Sequence, residues 1–230
     1  MRLPHMFGVL TASALLIGAS SANALELTID DLATAAVDVT LTDNLVPGLV
    51  NYNSAVDGNV GMFSVVVSTG LGDPFVGGPG EAEIDLSVQA GSPVEGTLVV
   101  TLTDEDMTIP AVDSGATSVH SSFSINANSN AGATVESFIR IGAATTFEAL
   151  STLAGTGEVN LVETLRRIIA SGETFDIRTV VTIDFDKFGF ASADANLNVA
   201  PIPLPAALPL FLTALLGLGF VGRHRRRMAA

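Results

Sequence analysis

Cysteine is absent from the 230-residue chain, so neither disulfides nor thiolate metal sites hold its fold. Tryptophan is absent as well and Tyr52 is the only tyrosine, which removes most of the aromatic platforms that usually stack on sugars or bases. Basic residues are few and unevenly placed. Between Leu25 and Ala200 only Arg140, Arg166, Arg167, Arg178 and Lys187 stand against all 24 Asp and Glu of the chain, a net of five minus 24, or −19. A surface of that sign repels phosphate backbones, which excludes nucleic acid as a partner. Stability must come from packing, with ions as the only other aid.

The ends differ in kind from this acidic middle. Met1 to Ala24 carries Arg2, then the apolar run Phe7 to Ile17, then Ala22-Asn23-Ala24. That order of basic residue, apolar stretch and A-x-A site is the layout of a signal peptide. Small side chains at Ala22 and Ala24 fit the shallow pockets of signal peptidase, so the mature chain is expected to start at Leu25.

At the other end, Pro201-Ile-Pro-Leu-Pro-Ala206 is followed by an apolar run to Val221 and then by Arg223, Arg225, Arg226 and Arg227. Ala206 to Val221 as a helix reaches about 24 Å, short of a hydrocarbon core near 30 Å unless Ile202 to Pro205 joins it. The span is placed at 206–222 as a single transmembrane sorting helix. Arginines directly after it stay on the cytoplasmic side, and the signal peptide sends everything before it outward. Pro203, Pro205 and Pro209 disfavour helix before them, so the proline motif is expected to be extended and open to a protease.

Ile202-Pro203-Leu204-Pro205-Ala206, with its span and arginine cluster, resembles the exosortase sorting signals of the PEP-CTERM type, in particular the VPLPA variant, with Ile in place of the first Val. The resemblance covers residues 201–230 alone. It implies passage through the inner membrane of a Gram-negative bacterium, recognition by an exosortase, and cleavage near the motif. Release or transfer to the cell surface or extracellular polymer would follow. A plain single-span tail anchor is the alternative reading of the same residues.

Three segments result: a signal peptide at 1–24, an acidic β-rich ectodomain at 25–200 and a sorting signal at 201–230. Within the ectodomain, period-two alternation recurs in Val37-x-Val39-x-Leu41, Phe63-x-Val65-x-Val67, Ile84-x-Leu86-x-Val88 and Leu98-x-Val100-x-Leu102. It returns around Phe123 and Ile125, from Val135 to Ile141, from Phe175 to Phe185, and in a last strand through Asp194 to Asn198. Turn-rich stretches lie at Val56 to Asn59, Gly70 to Pro74, Gly77 to Gly80 and Asn126 to Gly132. The predicted class is therefore all-β, an antiparallel sandwich. One helix is predicted over 158–171, where Val159, Val162, Leu165 and Ile169 follow helical spacing and Gly172 can cap; a strand followed by a loop is the alternative.

Catalytic signatures are wanting. His120 is the only histidine of the ectodomain, sits among serines, and lacks a G-x-S-x-G partner, so it reads as a solvated strand residue. Gly70-x-Gly72 and Gly155-x-Gly157 lack the remaining glycines or Gly-Lys-Ser/Thr of phosphate loops and read as turns. Calcium is the one cofactor for which donors exist, at Asp30-Asp31, Asp104-Glu105-Asp106 and Asp184-x-Asp186, although none matches an EF-hand and a solubilising surface is the favoured explanation of the acids at any one cluster. The sequence thus points to a non-enzymatic surface or matrix protein with a structural or adhesive role. A calcium-dependent carbohydrate-binding module is the second reading, with extracellular polysaccharide as its partner, and a two-carboxylate hydrolase is the third.

Overall fold

Successive side chains of a strand point to opposite faces, so a chain that alternates apolar and polar residues builds sheets with one dry side and one wet side. The computed structural model describes residues 25–43, 46–72, 81–108, 116–170 and 173–202. In chain order its elements are β1 (Leu25–Asp31), β2 (Val39–Thr42), β3 (Leu49–Asn53), α1 (Ser54–Asp57), β4 (Ser64–Leu71), β5 (Ala82–Ser92) and β6 (Gly96–Met107). They continue as β7 (Ala116–Ala127), β8 (Ala131–Ile141), β9 (Glu148–Gly155), β10 (Gly157–Ile168), β11 (Phe175–Phe185) and β12 (Gly189–Pro201). The first sheet runs β2-β1-β6-β11-β8-β9 and the second β10-β7-β12-β5-β4-β3, with every pairing antiparallel. The β-sandwich expected from the alternation is the fold found.

The inner faces hold the core. From the first sheet come Leu27, Ile29, Leu98, Val100, Leu102, Ile177, Val181 and Ile183; from the second come Ile84, Leu86, Val88, Val119, Phe123, Ile125, Leu197 and Val199, all 2 % exposed or less. Each such aliphatic side chain withdrawn from water contributes roughly 1.5–3 kcal/mol. Phe63 and Phe185 meet with ring centroids 5.7 Å apart and close one end of this core.

From β5 onward the chain changes sheet at almost every connection. β5 and β6 share a tight turn, so the C-terminal end of β5 and the N-terminal start of β6 lie at one end of the sandwich. Asp31 pairs opposite Leu98, and Gly189 opposite Ser92, which places the end of β1 and the beginning of β12 at that same end. Leu25 and Pro201 therefore both lie at the opposite end.

Residues 158–170, the described part of the predicted helix, are not helical. Gly157 to Ile168 form β10, paired with β7 through twelve consecutive positions, and Ile169 and Ala170 continue outside any strand. Gly155-Thr156-Gly157 makes the corner that carries the chain from β9 into the other sheet, with Gly157 at φ 77, where glycine carries no steric penalty. A helix would forfeit the ladder with β7 and leave that strand as an open edge. The inward side of β10 carries Val159, Leu161, Glu163, Leu165 and Arg167, whereas Val162 faces out at 67 % exposure. The apparent helical spacing arose from mixing residues of the two faces.

Glu163 and Arg167 are charges turned inward on an edge strand, a device that discourages pairing with another chain. Each is tied across to β9: Ser151 Oγ donates to Glu163 Oε2 at 3.0 Å, and Arg167 Nη2 donates to Glu148 Oε1 at 2.8 Å. The other edges are short or irregular. β2 has four residues, β3 five with a bulge, and β9 shifts register against β8.

Gly70 and Leu71 finish β4 rather than opening a turn, and the pairing with β3 explains the glycine: a Cβ on Gly70 would lie 2.8 Å from the Val50 carbonyl oxygen. The turn expected at 77–80, the cap at Gly172 and the span at 206–222 lie outside the described residues. Among the described residues α1 is the only helix, and none is long and apolar enough to cross a membrane.

The strand assignment of β10 makes a separable prediction. Leu161→Lys should cost at least about 2 kcal/mol in urea denaturation, because it drives a charge between the sheets, while Val162→Lys should stay within about 0.5 kcal/mol of the parent. A helical segment would penalise Val162→Lys instead.

Candidate functional site

The sorting residues meet the described structure only at its edge. Ile202 is half-buried directly after β12. Pro203, Leu204, Pro205, Ala206, Arg223, Arg225, Arg226 and Arg227, together with Ala22 and Ala24, lie outside the described residues.

The three acidic groups singled out for calcium are pulled apart by strand geometry. Asp31 is buried and accepts from the Ala33 amide at 3.0 Å, while its own amide donates to Asp38 Oδ2 at 2.8 Å. Asp104 turns into the interior, and its neighbour Glu105 turns out to pair with Arg140 at 3.1 Å. Asp106 stands at φ 56 and donates its amide to Asp176 Oδ1 at 2.8 Å. Asp184 accepts from Thr97 Oγ1 at 2.6 Å, and the Asp186 amide donates to the Asn130 carbonyl at 3.0 Å in the β11–β12 turn. Among the described residues no three His, Asp or Glu side chains converge as ligands. His120 lies on the outer face of β7, with Nδ1 2.9 Å from Thr164 Oγ1 on β10.

The outer faces of the two sheets differ in how their charge is handled. On the first sheet, Arg140 bridges Asp176 through Nε and Glu105 through Nη2. Phe147 lies under two guanidinium groups, Arg178 at 3.9 Å and Arg140 at 4.8 Å from its centroid, which are cation–π distances. Burial, and then the neighbouring Arg140 charge, lower the pKa of Arg178, and its Nε donates to Thr103 Oγ1 at 3.1 Å. Glu26, Asp30, Glu136 and Asp184 stand at other outward positions of this sheet, and among the described residues none of them takes part in an ion pair.

The outer face of the second sheet is a polar lattice in four cross-strand rows. Taken across β10, β7, β12 and β5, these are Thr164, His120, Asn198 and Glu83; Val162, Ser122, Asn196 and Asp85; Asn160, Ser124, Asp194 and Ser87; and Glu158, Asn126, Ser192 and Gln89. Asn196 Nδ2 donates to Glu83 Oε1 at 2.5 Å, Asn198 Nδ2 reaches Glu83 Oε2 at 3.4 Å, and Ser124 Oγ donates to Asp194 Oδ2 at 3.2 Å. A shallow depression of about 330 Å³ opens among Asp85, Ser122, Ser124, Asn160, Asp194 and Asn196. Among the described residues none of Glu83, Asp85 and Asp194 takes part in an ion pair. Hydroxyl, amide and carboxylate groups at strand spacing offer both donors and acceptors to a polyhydroxylated ligand.

The same face ends in an aromatic residue that sequence reading passed over. Phe190 stands in the outward row of β12 opposite Gly91, 59 % exposed, and Phe188 in the preceding turn is 69 % exposed. Met62 and Val94, also exposed, belong to connections at this end. The one signal available was two phenylalanines flanking a turn glycine; their exposure depends on which face of β12 is dry.

No family model matches the chain, and no curated protein does. Among solved structures, it is similar to TmCBM61, seen in complex with β-1,4-galactotriose, at TM-score 0.33 and 10% identity over 61% of this chain and 90% of that one. A second likeness is to the CBM22-1 xylan-binding domain of Paenibacillus barcinonensis Xyn10C, with TM-score 0.31, 10% identity, and coverage of 69% and 88%. A third is to the C-terminal family 22 carbohydrate-binding module of Clostridium thermocellum Xyn10B, with TM-score 0.31, 15% identity, and coverage of 69% and 96%. Overlaps of this size carry no ligand over to this chain, whose surface chemistry has to be read from its own residues.

Asp85 marks where that chemistry is under tension. Partial burial first, then the charges of Glu83 and Asp194, raise its carboxyl above the ordinary value. A carboxyl whose folded pKa exceeds its unfolded one favours folding while protonated, and that contribution is lost as pH rises through the folded value. At neutral pH the ionised side chain therefore works against the fold. Asp85→Asn should raise the melting temperature near neutral pH, and the gain should shrink to nothing as acid protonates the parent. Added salt should trim the part due to Glu83 and Asp194. Thermal melts of both proteins across the carboxylate range check the sign.

Proposed function

We propose that this chain is an exported, non-enzymatic adhesive protein that is processed at its tail by an exosortase and holds extracellular polysaccharide on the outer face of its second sheet. The observation that carries the reading is the lattice itself: the outer face of the second sheet presents amides, hydroxyls and carboxylates that, among the described residues, take part in no ion pair, around a shallow depression. Shallow polar surface suits an extended polymer better than a small molecule, which calls for a deeper, largely apolar cleft.

The positions of the chain ends support display. With Leu25 and Pro201 at one end, a tail attached there turns the Phe188 and Phe190 end away from the point of attachment. The lattice then stands along the side of a projecting module. Calcium enters this reading as an optional aid.

Two experiments test it. Sedimentation with insoluble polysaccharide from the host should pull down the protein. Asn196→Ala with Asn198→Ala should cut retention by about fivefold or more, while Thr134→Ala with Thr182→Ala on the first sheet leaves it unchanged. Equal retention of all three proteins sinks the assigned face, and retention abolished by EGTA would make the contact calcium-dependent. Separately, mass spectrometry of host fractions should find a chain beginning at Leu25 and ending between Ile202 and Ala206 outside the inner membrane. Arg223 to Ala230 retained in every fraction would reduce the tail to an anchor.

A further inference from the structure

Resting on the tail-anchored display read above, we infer that the end of the sandwich farthest from the tail is a contact surface for a second copy of this chain, so that copies on two facing surfaces meet tip to tip. Ten large apolar side chains are exposed among the described residues, and seven of them stand at this end. Leu32 and Val37 lie in the β1–β2 connection, Val56 in α1, Met62 between α1 and β4, and Val94 in the β5–β6 turn. Phe188 and Phe190 complete the set, whose exposures run from 43 % to 81 %. Register fixes their common location. Ile29 pairs with Val39 and Asn53 with Val66, which brings Val37 beside the end of β1 and α1 beside the start of β4. Phe190, Gly91 and Ser64 form one row across β12, β5 and β4, with Met62 two residues before Ser64 and Val94 three after Gly91. The α1–β4 connection also reaches across to the other sheet: a Cβ on Gly61, next to Met62, would run into the carboxylate of Asp31, next to Leu32.

Size and position single out a second copy as the occupant. At these exposures the seven residues offer on the order of 700 Å² of surface, close to the roughly 800 Å² that each partner gives to a standard protein interface. The other connections of the chain cannot cover it. Residues 44–45, 73–80, 109–115 and 171–172 all join the sandwich at the end of Leu25 and Pro201, about 36 Å away along eleven strand residues at roughly 3.3 Å each, too far for loops of eight residues or fewer to span and return. The tail departs from that same end. Lipid is a poor match, because Asp57, Glu95 and Asp186 stand exposed around the patch with Lys187 as the one base among the described residues there, whereas segments that settle on membranes carry Lys and Arg beside their apolar residues. A twofold contact needs no other component, since the same patch serves both partners. Two copies joined this way point their tails in opposite directions, so the contact links two surfaces rather than neighbours on one. The acids of the two copies oppose each other across it, so salt tightens the contact.

The test places the full-length chain, inserted through its tail, in uncharged phosphatidylcholine vesicles without polysaccharide. Vesicles carrying the protein should cluster with one another, and Phe188→Ser with Phe190→Ser should cut clustering by about tenfold or more. Val56→Glu with Val94→Glu is a second variant of the same patch with the same expected loss, and thermal melts show that each variant is folded. Val46→Ser with Ile168→Ser, which removes exposed apolar side chains from the opposite end, should cluster as the parent does. Added salt should raise clustering. Capture of bare vesicles by protein-bearing ones overturns the inference in favour of lipid. Vesicles that carry the chain yet stay single, or clustering that both patch variants leave intact, overturn it as well. If the chain does not float with the vesicles, the display reading falls, and the contact is decided in solution. The chain has no cysteine, so Val94→Cys gives one thiol per copy at the tip, and a short bismaleimide should join it into dimers while Val46→Cys stays monomeric. Absence of the Val94→Cys dimer overturns the contact itself.

Discussion

The placement of β12 between β5 and β7 is the constraint on which the rest of the molecule depends. Eleven residues of this strand pair with each neighbour, from Gly189 to Val199 against β5 and from Ala191 to Pro201 against β7. One register sends Ala191, Ala193, Ala195, Leu197 and Val199 into the core and Ser192, Asp194, Asn196 and Asn198 to solvent. A slip by one residue would exchange the two sets. Burying the amides and carboxylate would cost several kcal/mol, so the apolar half of the strand holds the polar half in its lattice. Because β12 is the last strand among the described residues and central in its sheet, the second sheet is completed only when β12 is in place.

Both outer faces of the sandwich carry more carboxylates than bases. With so few basic residues, each placement matters. Arg140 and Arg178 are gathered around Phe147, where Arg140 also pairs with Glu105 and Asp176 and the two guanidinium groups fasten the β8–β9 connection onto the first sheet. Arg167 is committed to the seam between β9 and β10. Both outer faces keep an excess of carboxylates, and on the second partial burial together with the charges of Glu83 and Asp194 raises the pKa of Asp85.

Much of this architecture was legible in the sequence. Strict alternation marked Ile84 to Val88, Leu98 to Leu102, Val135 to Ile141 and Phe175 to Phe185 as strands, and each lies within one. β10 was misread because Val159, Val162 and Leu165 satisfy a helical period as well as sitting in a strand whose inward face is interrupted by Glu163 and Arg167. Charges that protect an edge erase the alternation that would identify it. β9 was missed for a related reason, since Glu148 to Gly155 carries few large apolar residues.

What the sequence determined by itself was local and compositional: the acidic middle, the tail motif at Ile202 to Ala206, the absence of disulfides, and the dry and wet faces of the strongly alternating strands. These follow from residue types and their short-range periodicity, which require no knowledge of neighbours. The tertiary structure alone decided strand order, and with it the joining of Asp85, Ser122 and Asn196 in one row although they lie far apart in the chain. It also decided that Phe190 is exposed on the same face and that Leu25 and Pro201 share an end. Pairing between distant strands is fixed by how whole inner faces pack against each other, a property of the assembled sandwich that no single segment carries.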